Sequence, residues 1–174
     1  MSYRPATPDG LKPKDLIGLP WRLAFALQND GWHLRSDIIW HKPNCQPESV
    51  KDRPTQSHEY IFLLTKEEKY YCDYESIRKT TNDGVNKRNK RSVWSVNIEP
   101  FREAHFAVFP PALIAPCILA GSKIDSWVLD PFFGSGTVGE VCMKFNRRFV
   151  GFELNPEYVK IAKRRIKEAY VPLF

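Results

Sequence analysis

Nowhere in this chain do apolar residues run on for the roughly 18–20 positions that a membrane-spanning helix requires. The first ten residues, "MSYRPATPDG", hold no apolar core of the kind a secretory signal needs, so a cytoplasmic location is expected. Cysteine is sparse and scattered: Cys45, Cys72, Cys117 and Cys142 stand singly, with no CxxC pair. That spacing argues against a disulfide scaffold and the common zinc modules, and buried free thiols are the expectation. The four histidines are equally isolated, so no metal site is expected. A Gly-Lys-Ser/Thr run is also missing, which removes the phosphate-gripping P-loop.

What is present is an ordinary globular composition. Apolar residues make up 43% and charged residues 26% of 174 positions, enough for one core and too little chain for two comfortable ones. We therefore read residues 1–174 as a single domain. The net charge of +6 hints at a polyanionic partner, because clustered Lys and Arg gain affinity by displacing counterions from phosphates.

Periodicity organises the chain. "DLIGLPWRLAFALQNDG" places Leu16, Leu19, Leu23 and Leu27 at helical spacing, with Asp15 as N-cap and Pro20 marking where the regular helix starts. "WHLRSDIIWHKP" and "HEYIFLLTK" have strand character, and "KYYCD" is expected to pair with the second as a hairpin. The polar, basic stretch 79–91 follows as a loop, then "SVWSV" as a short strand. "FPPALIAPCILAG" predicts a helix from the Pro110–Pro111 pair to Gly121, kinked or broken at Pro116. The last third reads strand, loop, helix, strand, helix, with Tyr158, Ile161, Ala162 and Ile166 on the apolar side of the final helix. This is the β-α-β-α pattern of a doubly wound sheet, made mixed by the hairpin-like middle.

The stretch "VLDPFFGSGTVG" carries the most chemistry. A buried strand delivers Asp130 to its carboxyl end, where open α/β sheets bind ligands. Gly134, Ser135 and Gly136 let the backbone turn sharply and approach a ligand, and a helix starts near Thr137. A second strand, "FVGFE", ends in Glu153, an acid placed to accept both ribose hydroxyls of a nucleoside. Two acids and aromatic rings, with no cation for a phosphate, suit a cationic or neutral nucleoside and point to S-adenosylmethionine.

"VLDPFFGSGTVG" followed by "RRFVGFELNPEYVKIAKRRI" resembles the cofactor motifs of the amino-group DNA methyltransferases, which modify N6 of adenine or N4 of cytosine. The family's D-P-F-x-G-S-G-T is matched at every fixed position, and Gly151, Glu153, Asn155, Pro156 and Tyr158 match the second motif. "HFAVFPPALIAPCILAG", "DIIWHKPN" and "RSVWSV" resemble further family segments. The resemblance implies a Rossmann-like α/β fold specific to S-adenosylmethionine-dependent methyltransferases, with a mixed, mostly parallel sheet. It implies a cofactor site made of Phe106, Pro110, Asp130, Pro131, Phe132, Gly134, Ser135, Gly136, Thr137, Glu153 and Asn155. Asp130, Phe132, Gly134 and Gly136 would line the methionine end, while Asn155 reads equally as the cap of the last helix.

The family's base-holding tetrapeptide, D/N/S-P-P-Y/F/W, does not occur. By resemblance the chain is a C-terminal portion with an incomplete sheet and unknown catalytic residues. It is expected to be part of a DNA methyltransferase of the restriction-modification kind. The alternatives are an inactive remnant that binds only cofactor or DNA, or one half of a split enzyme completed by a second polypeptide. Double-stranded DNA is the expected partner. Lys42, Asn44, Lys51, Arg53, Lys87, Arg88, Lys90 and Arg91 are the candidate contacts, the cations for phosphates and Asn44 or Gln46 for base edges.

Overall fold

A computed structural model describes residues 7–80, 84–99 and 108–169. Helix α1 (Leu19–Asn29) precedes strands β1 (His33–His41) and β2 (His58–Thr65), which pair antiparallel through a bulge between Leu34 and Ser36. Two-residue strands β3 (Lys79–Thr80) and β4 (Lys87–Arg88) form a small antiparallel ladder, and β5 (Val93–Ser95) joins β1 in parallel. Helix α2 (Pro111–Gly121) leads to β6 (Trp127–Asp130), α3 (Thr137–Lys144), β7 (Arg148–Gly151) and α4 (Pro156–Ala169). β6 and β7 pair in parallel.

The sheet is thus mixed, and among the described residues it comes in separate ladders: β2-β1-β5, β3-β4 and β6-β7. Helix α2 ties the larger two together. Its Leu113 packs with Trp40 and Trp94 from the first, and its Ile118 packs with Val138, Val141 and Cys142 of α3. Pro116 lies inside this helix without ending it, so of the expected kink or break the break does not occur. One lost N–H is tolerated because the helix is apolar all round and held by two cores.

Three other expectations need correction. The leucine stripe of α1 faces outward: Leu16, Leu19 and Leu23 are exposed, whereas Ala24 is buried. Trp21 packs edge-on against Tyr60 and Phe62 of β2 at ring distances of 5.4 and 4.9 Å, and this aromatic contact sets the face. Gly18, not Asp15, holds the N-cap position, and the Asp15 carboxylate accepts the Lys12 N–H instead. "KYYCD" does not pair with β2, whose partner is β1. It runs past α2, where the Asp73 N–H donates to the Ala120 carbonyl at 2.9 Å. No helix among the described residues is long and apolar enough to cross a membrane.

Candidate functional site

The carboxyl ends of β6 and β7 lie side by side because the two strands are parallel and in register, Asp130 opposite Gly151. The chain leaving β6 is tied to the chain leaving β7. The Phe152 N–H donates to the Asp130 carbonyl at 3.0 Å, and the Phe133 N–H to the Phe152 carbonyl at 2.9 Å. The acid at 153 closes the turn: Glu153 Oε2 accepts the Gly134 N–H at 2.8 Å and Oε1 accepts the Asn155 N–H at 2.7 Å. Asp130 Oδ1 accepts the Phe132 N–H at 3.0 Å, a local turn bond rather than a helix cap.

The two phenylalanines of "PFF" separate here. Phe132 is 88% exposed, while Phe133 turns inward and stacks on Phe149 at 5.6 Å. Glycines make room for that ring: a Cβ at Gly151 would stand 2.3 Å from it, and one at Gly139 would stand 2.7 Å away. Gly136, in the left-handed region at φ 82°, begins α3, and a Cβ there would meet the Ala162 side chain at 2.7 Å. A cleft of about 680 Å³ opens beside the loop, between Phe133, Phe149 and α4, with Glu153 in its wall.

The structure therefore brings Asp130, Pro131, Phe132, Gly134, Ser135, Gly136, Thr137, Glu153 and Asn155 into one loop cluster. Ser135 and Thr137 are buried in it rather than facing outward. Asn155 serves as the cap of α4, its Oδ1 accepting the Glu157 N–H at 3.0 Å. Pro110 is buried where α2 starts, and Phe106 lies outside the described residues. Sequence reading missed Arg165 and Glu140, which hold the loop from behind. The signal was in the spacing: Arg165 lies three positions after Ala162 and so shares a face with it.

The expected DNA-contact residues divide in two. Trp40 and Trp94 face each other across the β1–β5 ladder, with Lys42 over the first ring and Lys90 over the second, each at 4.4 Å. Lys42 also pairs with Glu59, and Arg53 with Glu48 at 2.7 Å. Burial, then the nearby Lys79, lowers the Lys90 pKa. Asn44 is exposed but tied to the chain: its amide N–H₂ donates to the Ile98 carbonyl at 3.0 Å and its Oδ1 accepts the Ile98 N–H at 2.7 Å. Lys51, Lys87, Arg88 and Arg91 are exposed. Cys117, although preceded by Pro116, cannot serve as a thiolate nucleophile near neutral pH, because burial pushes its pKa up to about 11.

Comparison with known proteins agrees with this geometry. The DNA methylase family of N6 and N4 enzymes matches residues 3–164. The Type II methyltransferase M.SmaI of Serratia marcescens is 66% identical over 167 residues, covering 95% of this chain and 57% of its own. M.Cfr9I of Citrobacter freundii is 65% identical, covering 96% of this chain and 55% of its own. The chain thus spans little more than half the length of these curated relatives. Among solved structures, the cytosine-N4-specific PvuII DNA methyltransferase superposes with a TM-score of 0.74 at 22% identity, covering 95% of this chain and 65% of its own. These matches, joined to the loop built from Asp130 to Glu153, place the chain in the N6/N4 DNA methylase family.

Proposed function

We propose that this chain forms the cofactor-binding part of a DNA methyltransferase that moves a methyl group from S-adenosylmethionine to an exocyclic amino nitrogen, N4 of cytosine or N6 of adenine. The observation that carries this reading is the Glu153 carboxylate closed on the Gly134 N–H at the ends of two parallel strands. Each of its oxygens keeps a lone pair for a ribose hydroxyl. Phe132 and Asp130 stand at the other end of the loop, where an exposed aromatic ring and a carboxylate suit the cationic methionine moiety. The solved M1.HpyAVI–SAM complex, with a TM-score of 0.68, shares this fold.

The cofactor supplies an activated methyl on sulfonium, and transfer to nitrogen needs in-line placement rather than a covalent enzyme intermediate. The chain lacks the family's tetrapeptide that would hold the target amino nitrogen, and in this reading those groups come from elsewhere. A second polypeptide carrying them completes the enzyme in this reading. Exposed Lys51, Lys87, Arg88 and Arg91 take duplex phosphates, with Lys42 and Lys90 behind them on the tryptophan pair. The relatives' names, Type II methyltransferases, support a restriction-modification setting for this reading, and a cytoplasmic location beside the genome goes with it.

Isothermal titration with S-adenosylmethionine, followed by transfer of labelled methyl to unmethylated DNA, tests the proposal. Binding by the chain, with transfer once a D-P-P-Y-bearing polypeptide is added, is expected. Absence of binding would sink the cofactor assignment, and binding with no transfer under either condition would leave a remnant.

A further inference from the structure

We infer that Arg165 of α4 is a positioning residue for the glycine loop and sets its affinity for S-adenosylmethionine; this rests on the cofactor reading above. The side chain is 13% exposed and lies behind the loop. Its Nη1 donates to the Ser135 carbonyl at 3.2 Å, to Ser135 Oγ at 2.9 Å and to Thr137 Oγ1 at 3.1 Å. Its Nε and Nη2 donate to Glu140 Oε2 at 3.1 and 2.6 Å. One guanidinium therefore spans the loop and the first turn of α3.

The Ser135–Gly136 peptide is fixed at both ends: Arg165 holds its carbonyl, and its N–H donates to the Phe133 carbonyl at 2.9 Å. Ala162, on the same face of α4, presses on Gly136 between the two hydroxyl residues. Only a planar fork of donors can reach two loop oxygens and a carboxylate together; a lysine ammonium is a single point of charge. A buried ion pair is itself a weak source of stability, because desolvation offsets its attraction. What the pair adds here is a loop whose peptide planes are set before a ligand arrives, so less ordering is paid on binding.

That distinction decides the experiment. Arg165→Met alone leaves Glu140 with only the half-exposed Lys144, at 2.6 Å, as its partner, so both stability and cofactor affinity should fall. The double variant Arg165→Met with Glu140→Gln also removes the carboxylate charge that lost its buried partner. It should melt at or above the temperature of Arg165→Met while still binding S-adenosylmethionine at least ~10-fold more weakly than wild type, in line with the loss of charged hydrogen bonds. Arg165→Lys should fall between. Amide exchange at Gly134 and Gly136 should quicken in the double variant. Wild-type affinity and wild-type exchange in the double variant would overturn this proposal alone. No binding by the wild-type chain would overturn the cofactor reading and this proposal with it.

Discussion

At the scale of single residues, the two halves of the loop depend on groups that tolerate little change. Gly151 faces the Phe133 ring, and a Cβ there would stand 2.3 Å from it. Gly151→Ala should therefore cost about 2–3 kcal/mol by overpacking, read from urea unfolding. Adding Phe133→Leu should recover part of that loss, since the clash is with one ring. A purely additive pair would show that the strain lies elsewhere. Glu153→Gln tests the acid. The carboxylate accepts two backbone N–H groups, at Gly134 and Asn155, whereas an amide turns a donor toward one of them. Cofactor affinity should fall roughly 10–100-fold, the worth of about 1.5–3 kcal/mol for a charged hydrogen bond, measured by titration calorimetry. The acid, the glycines and the strand ends were legible in the sequence because a ligand loop needs those residue types. Which phenylalanine turns inward was not, because the turn breaks strand alternation and only the glycines at 139 and 151 decide where a ring fits.

Among elements, those with one plain periodicity were read correctly. The last helix buries Ala162 and half-buries Tyr158, Ile161 and Ile166, as its spacing predicts. Helix α1 was misread because it is apolar on more than one side. Spacing cannot choose between Leu19 and Leu23 on one face and Trp21 and Ala24 on another; the aromatic surface of β2 chooses. The join between α3 and α4 carries a pH prediction. Burial raises the Glu140 pKa, but hydrogen bonds from Lys144 and Arg165 outweigh it and leave the pKa below its ordinary value of 4.5. A carboxylate with a depressed folded pKa contributes stability that is complete above about pH 4.5 and fades as pH falls through the lower, folded value. Wild type should lose stability through that acid window, and Glu140→Gln should show a shallower loss there. Parallel curves would mean that Glu140 does not carry the acid sensitivity.

At the scale of the whole molecule, the described residues leave one face of the parallel pair uncovered. Trp127, Leu129 and Phe152 lie on that face with 64%, 62% and 62% of their surface exposed, and Val150 adds 41%. Parallel strands are normally covered on both faces, and an apolar patch of this kind marks an interaction surface. Its β6 edge has no partner beyond β7 among the described residues. The family relatives carry much more chain than this one matches, which fits a covering layer supplied by the rest of the enzyme. The chain alone should therefore bind an apolar dye such as ANS and self-associate as concentration rises in sedimentation velocity runs. Leu129→Lys places a charge where the wild-type side chain already meets water, so it should leave the melting temperature nearly unchanged. The same substitution should reduce dye binding and self-association, and should weaken any pairing with the second polypeptide proposed above. A monomer that ignores the dye at every concentration would mean that the face is content in water. Loss of stability in Leu129→Lys would mean that it is already covered.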